Sequence, residues 1–263
     1  MTEKTPLTTK DIEFVKNTVV KAGKLADAYA RRGFTESRKS DASIVTNADI
    51  AVQEMLAKAI GRRFKQANFI CEETANAAEM PSELAVIIDP IDGTAVFSMG
   101  LPCWCVSVGV FYDMQPVHGF VYAPRCDMFF WTDHTSSYLN KRRLAPSGLL
   151  PETETNYFLA SETMRSYNLA AKGKIRNLGS TALHACLVAA GSLNRSLAFL
   201  GESMLWDWAG SLAILSKAGC SVHYINGEPL DIAAIAANGF KLPQAAVACS
   251  NPKVKAMELF APR

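Results

Sequence analysis

The densest chemistry in this 263-residue chain lies in the stretch Ile87-Ile88-Asp89-Pro90-Ile91-Asp92-Gly93-Thr94. An apolar run reads as a buried strand and ends in two carboxylates, a proline, a glycine and a hydroxyl. A core does not accept unpaired carboxylates, so the strand must deliver them to the rim of a sheet. Pro90 fixes its own φ and biases Asp89 toward an extended backbone, so Asp89 and Asp92 can converge on a hard cation. Gly93 permits a sharp turn that brings backbone N–H groups to an anion. Carboxylates beside such a turn are the chemistry of a Mg²⁺-phosphate site.

Other acids stand at comparable places. Glu72-Glu73 follows the short apolar run Phe69-Ile70-Cys71, and Asp207 sits between Trp206 and Trp208 at the opening of a helix. Asp49 lies at or just inside the start of a helix after Ile44-Val45-Thr46. Each also has a plain structural reading: a solvated pair for Glu72-Glu73, an N-cap for Asp207, and an N-cap or first-turn acid for Asp49. Taken jointly, four carboxylates (Glu72, Asp89, Asp92, Asp207) that end strands or open helices could not all ionise together without cations. Oxygen ligands favour Mg²⁺ or Mn²⁺ over Zn²⁺. The histidines at 118, 134, 184 and 223 are too scattered to form a competing set.

The elements that must position these groups can be read in order. Thr8 or Thr9 opens a helix with Ile12, Val15, Val19, Ala22 and Ala26 at helical spacing and Gly33 as its stop. A polar loop, 35–42, leads to the helix that carries Asp49, and a small polar loop, 75–83, precedes the central strand. After the carboxylates and a loop over 97–102, strands at 103–111, 117–122, 128–132 and 137–139 form an antiparallel meander. The Pro/Ser/Glu-rich segment 146–156 divides an N-terminal lobe, 1–145, from a C-terminal lobe, 146–263, the two forming one compact unit. The second lobe alternates strands (157–160, 175–178, 197–200, 220–224, 245–248) with helices (162–171, 182–190, 209–217 and a last one from Pro252). This predicts an α/β (α+β) protein with sheets covered by helices.

Composition sets limits. Apolar residues make up 49% and charged residues 20%, a globular balance. A net charge of +2, with Lys141-Arg142-Arg143 the largest basic cluster, gives no footprint for nucleic acid. No apolar stretch reaches the roughly 20 residues of a membrane span, and Met1–Lys10 lacks the apolar core of a secretory signal. Seven cysteines without framework spacing point to reduced thiols in the cytoplasm, with Cys103 and Cys105 read as buried small hydrophobes.

The chain resembles the inositol monophosphatase family, within the lithium-sensitive, Mg²⁺-dependent phosphatases. The resemblance rests on Glu72-Glu73, Asp89-Pro90-Ile91-Asp92-Gly93-Thr94 and Trp206-Asp207, with Val45-Thr46 and Asp49, the run Gly119–Pro124 and Gly179-Ser180-Thr181-Ala182, in order from about Lys10 onward. It implies a layered αβαβα sandwich, a homodimer, and two or three Mg²⁺ ions, with Mn²⁺ as a substitute. By this resemblance Glu72, Asp89 and the Ile91 carbonyl look like ligands of a first metal, and Asp89, Asp92 and Asp207 of a second. Gly93 and Thr94 would hold phosphate through their N–H groups. Asp49 and the Thr94 hydroxyl, with Glu72, would activate the attacking water. Gly179, Ser180 and Thr181, with Asp92 and Asp207, would border the substrate.

The implied activity is hydrolysis of a small phosphorylated alcohol, with inositol 1-phosphate as the default. Histidinol phosphate, fructose 1,6-bisphosphate and 3′-phosphoadenosine 5′-phosphate are the alternatives on the same scaffold. Leu200 stands where inositol-hydrolysing members resembling this chain carry a glutamate, and Thr181 is bulkier than their alanine. The reading from another class is a non-catalytic regulatory protein on a phosphatase scaffold. No residue of the metal motif is lost in its favour.

Overall fold

The computed structural model describes residues 7–39, 42–74, 83–148 and 152–263. Helix α1 (Thr9–Arg32) is capped by Thr8, whose backbone N–H donates to the Asp11 carboxylate at 2.8 Å. The segment read as a loop over 35–42 instead holds β1 (Glu36–Arg38), paired antiparallel with β2 (Ile44–Thr46). Residues 40 and 41 lie outside the described residues. Helix α2 (Asn47–Arg63) follows, then β3 (Asn68–Cys71), β4 (Ala85–Asp92) and the short α3 (Thr94–Ser98), which takes in the first two residues of the loop expected over 97–102. Most of the predicted loop 75–83 lies outside the described residues. The meander is β5 (Cys105–Tyr112), β6 (Gln115–Ala123), β7 (Met128–Thr132), β8 (Ser137–Leu139) and β9 (Arg142–Arg143). With β3 and β4 it forms a seven-stranded sheet whose spatial order follows the chain.

The second half holds β10 (Asn156–Leu159), α4 (Thr163–Ser166), β11 (Tyr167–Leu169), β12 (Lys174–Arg176), α5 (Thr181–Ala189), α6 (Gly191–Asn194) and β13 (Ser196–Gly201). Then come α7 (Leu205–Lys217), β14 (Ser221–Tyr224), α8 (Ile232–Ala237), β15 (Ala246–Cys249) and β16 (Phe260–Pro262). A five-stranded sheet runs β12-β10-β13-β15-β14. Part of the predicted boundary segment, 149–151, lies outside the described residues.

Two helix predictions are corrected. The helix expected over 162–171 stops after α4, because Tyr167 and Leu169 pair with Pro262 and Phe260 in an antiparallel ribbon. The helix expected from Pro252 is replaced by a single 3₁₀ turn at Ala256–Glu258 and by β16, the other half of that ribbon.

Alternation along the central strands decides which face meets which helix. Val86, Ile88, Val106, Val108 and Val110 join the core under α1 and α2, while Ala85, Ile87, Cys105 and Phe111 join a second core with α5 and α7. That second core also takes Phe158, Phe199 and Ala248 from the five-stranded sheet, so α5 and α7 fill the space between the sheets. The outer face of the five-stranded sheet is covered by Tyr167, Leu169, Leu259 and Phe260. The layered α/β sandwich is therefore as expected, with a ribbon and short turns as its last layer.

Glycine sets the depth at which α7 lies on the sheet. A Cβ on Gly109 would stand 2.5 Å from the Ala209 carbonyl oxygen, and Cβ atoms on Gly119 or Gly210 would overlap the facing element as well. Backbone-to-backbone contact of this kind is open only to glycine. No helix among the described residues is long and apolar enough to cross a membrane.

Candidate active site and metal centre

Strand β4 is buried along its whole length. In an uninterrupted strand, residues 89 and 92 would point to opposite faces. The register shifts between Asp89, opposite Ser107, and Asp92, opposite Cys105, so that β4 carries one residue more than β5. This bulge lets Ile91 enter the core under α1 and α2 while Asp92 turns to the α5 side with its carboxylate. Asp207 arrives from the first turn of α7, the helix that the glycines draw onto the sheet. One oxygen from each of Asp89, Asp92 and Asp207 lies within 4.8 Å of the others.

The three carboxylates are not equally satisfied. Asp92 accepts from the Ser180 hydroxyl, from Ala182 N–H at 2.7 Å and from Thr181 N–H at 3.2 Å, so it caps α5. Asp207 occupies the third helical position, not the N-cap, and accepts the Met204 N–H at 2.8 Å. Asp89 is 1% exposed and, among the described residues, has no donor on either oxygen. Burial, then the charges of Glu72, Asp92 and Asp207, push its carboxyl well above the usual range. Burial also raises Asp207, reinforced by Asp92 and Glu72, and it raises Asp92 despite the hydrogen bonds from α5. A buried carboxylate without a donor, flanked by two more, fits a divalent cation.

Glu72 lies outside that triad and holds Lys39, whose Nζ is 2.8 Å from Glu72 Oε1 and 2.8 Å from Glu73 Oε1. Burial lowers the affinity of Lys39 for its proton, but the two glutamates outweigh this and keep it charged. Sequence reasoning passed over Lys39, because a lone lysine in a polar loop carries no signal of its partners. It also passed over Ser107, a fully buried hydroxyl without a partner opposite Asp89.

Asp49 closes a capping box with Thr46 on α2, taking the Thr46 N–H at 2.8 Å on Oδ2. Its other oxygen faces Thr94, whose hydroxyl lies 3.2 Å from Asp49 Oδ1 and 3.0 Å from the Ile91 carbonyl. Burial raises Asp49, and the Glu72 charge adds to it. Gly93 sits at φ +92°, and a Cβ there would be 3.0 Å from the Gly179 carbonyl oxygen, so the turns 93–94 and 179–181 meet. Leu200 is not beside this cluster. It packs with Leu159 and Val247 on the outer face of the five-stranded sheet, so a glutamate at 200 would not reach the carboxylates.

The model of the inositol monophosphatase family matches residues 8–263. A relative from Solanum lycopersicum, inositol monophosphatase 3, is 32% identical over 264 residues, covering 91% of this chain and 97% of its own. The fructose-1,6-bisphosphatase/inositol-1-monophosphatase of Aquifex aeolicus is 28% identical over 211 residues, covering 76% of this chain and 78% of its own. Among solved structures, the extragenic suppressor protein suhB of Bartonella henselae superposes with a TM-score of 0.78 at 22% identity, covering 93% and 95% of the two chains. With the acidic cluster, the turn at Gly93 and this match over nearly its whole length, the chain belongs to the inositol monophosphatase family, whose members are phosphoric monoester hydrolases.

Proposed function

We propose that this chain hydrolyses a phosphate monoester of a small alcohol with divalent cations held at Asp89, Asp92 and Asp207, Mg²⁺ first among them and Mn²⁺ as a substitute. The observation that carries this reading is Asp89, buried with no donor on either oxygen among the described residues, beside the buried Asp92 and the half-buried Asp207. Glu72 and the Ile91 carbonyl complete the set on the Asp89 side, for two or three ions in all.

Bound cations supply the charge that makes water acidic near neutral pH and stabilises a departing alkoxide. The chain's own groups do the rest. The N–H groups of Gly93 and Thr94 hold the phosphate where the chain turns into α3. The Thr94 hydroxyl, tied to Asp49, orients the attacking water, and Asp49 takes the proton through it. Glu72 supports that step from the same side, and Lys39 holds its carboxylate in place. Asp92, Asp207 and the turn Gly179-Ser180-Thr181 border the alcohol. No covalent enzyme intermediate is required, and catalysis is positioning with charge stabilisation.

Inositol 1-phosphate is the first substrate to test, supported by the inositol monophosphatase relatives. Fructose 1,6-bisphosphate is the second reading, supported by the name of the Aquifex relative. Lobes 1–145 and 146–263 act as one catalytic unit, a reading supported by the core that both sheets share. A homodimer is the assembly that the family resemblance implies. A cytoplasmic setting is supported by seven free cysteines.

The test is phosphate release from inositol 1-phosphate, histidinol phosphate, fructose 1,6-bisphosphate and 3′-phosphoadenosine 5′-phosphate, with Mg²⁺, with Mg²⁺ plus Li⁺, and with chelator. Mg²⁺-dependent, Li⁺-inhibited release from one of them is expected. Folded protein that releases phosphate from none would favour the non-catalytic reading.

A further inference from the structure

Beyond burial, a second thiol pushes three cysteines up: Cys126 by Cys103, Cys105 by Cys186, and Cys220 by Cys249. They differ in surroundings. Cys105 and Cys186 are fully buried inside a strand and a helix. Cys249 is fully buried inside β15. Cys103 and Cys126 are both partly exposed, and neither lies in a strand or a long helix. Cys103 precedes β5, and Cys126 ends the 3₁₀ turn Pro124–Cys126, before Asp127 at φ +52°. The Cys126 thiol donates to the Pro102 carbonyl at 3.3 Å, which sets it beside the next residue, Cys103.

We propose that Cys103 and Cys126 are a modification site, a dithiol that low-molecular-weight disulfides of the glutathione class convert to an intramolecular disulfide. The Cys103 thiolate attacks one sulfur of oxidised glutathione, forming a mixed disulfide and expelling one glutathione thiolate. The Cys126 thiol then gives up its proton, attacks the Cys103 sulfur and expels the second. The two cysteines are oxidised, oxidised glutathione is reduced to two thiols, and the atoms balance. Burial and the neighbouring thiol push the Cys126 thiol up to about 11, which slows its attack and stabilises the disulfide once formed. Proximity offsets that slowness, since the second step is intramolecular. The bridge would pin the segment between α3, which carries Thr94, and β5, whose Cys105 Sγ is 3.6 Å from Asp92 Oδ2.

The experiment treats the full chain with oxidised glutathione, alkylates the remaining thiols and maps the unreduced peptides by mass. The expected product has lost two hydrogens, links the peptide of Cys103 to the peptide that begins at Cys126, and is restored by dithiothreitol. The link should vanish in Cys103→Ser and survive in Cys220→Ser. A link that persists in Cys103→Ser would assign the bond to another cysteine of the same peptide, Cys71 or Cys105, and overturn the proposal. So would a wild-type map showing only glutathione adducts, a Cys220–Cys249 bridge or unmodified thiols.

Discussion

At the scale of single residues, Asp89 and Asp92 sit three positions apart and behave differently. Asp92 has donors from α5 on both oxygens, whereas Asp89 has none. The proposed cation would therefore supply the compensation that Asp89 lacks among the described residues. Asp92→Asn should cut kcat at least about a hundredfold, the scale of losing one preorganised charge-stabilising group, with little change in Tm. Turnover assays beside thermal melts check it, and unchanged turnover would remove Asp92 from the site. The types of these residues were legible in the sequence, because carboxylates that end a buried apolar strand need a counter-charge or a donor. Their roles in capping were only half legible. Asp49 and Asp207 are both third-position acids accepting a backbone N–H, which a one-dimensional reading cannot tell from N-caps.

At the scale of elements, the bulge in β4 and the depth of α7 build the cluster. Gly210 shows the constraint from the helix side, since a side chain there would strike Ser107 and Val121. Gly210→Val should destabilise the protein by about 1–3 kcal/mol, as overpacking does, and should lower turnover by moving Asp207. Gly61→Ala is the contrast. Its Cβ would meet Phe69 at an ordinary 3.5 Å, and replacing a helical glycine should add about 0.5–1 kcal/mol without touching activity. Melting curves for the two variants would test the role of close packing, and equal effects would contradict it.

The long elements were legible because their periodicity is local: the stripe of α1 and the alternation of β5 each repeat within a few residues. The ribbon of β11 and β16 was not. Tyr167 is decided by Pro262 and Leu169 by Phe260, partners more than ninety positions away. The Ala-rich α8 was also missed, since Ile232 and Ile235 offer too short a stripe to mark a helix. Leu200 stands, by the resemblance, where inositol-hydrolysing members carry a glutamate, but the alternation of β13 points it outward.

At the scale of the whole molecule, stability should depend on pH through two buried histidines that do not belong to the carboxylate cluster. Burial lowers His118 and His184 to about 3, with Lys217 adding to the effect at His118. Both stay neutral in the folded protein. In the unfolded chain they bind protons below about 6.5, the usual histidine value. Stability is therefore fully present above pH 6.5 and is lost as pH falls toward 3. Melts in saturating Mg²⁺ should show Tm falling with pH across that window. The fall should be shallower in His184→Gln, which keeps an acceptor for the Leu178 N–H. An identical slope in the variant would assign the acid sensitivity elsewhere.

The fold class was legible from the alternation of strands and helices, and one core draws residues from both sheets. The close approach of the turns at Gly93 and Gly179, more than eighty residues apart in sequence, could be known only from the folded chain.

The most direct test is phosphate release as Mg²⁺ is titrated into metal-free protein, wild type beside Asp89→Asn. Saturable, chelator-reversible activation of the wild type is expected. That activation should be lost in Asp89→Asn, in a protein that is folded and melts no lower than the metal-free wild type, because a carboxylate without a donor has been removed. Equal activity in chelator and in Mg²⁺, or an Asp89→Asn protein activated like the wild type, would contradict a metal centre built on Asp89.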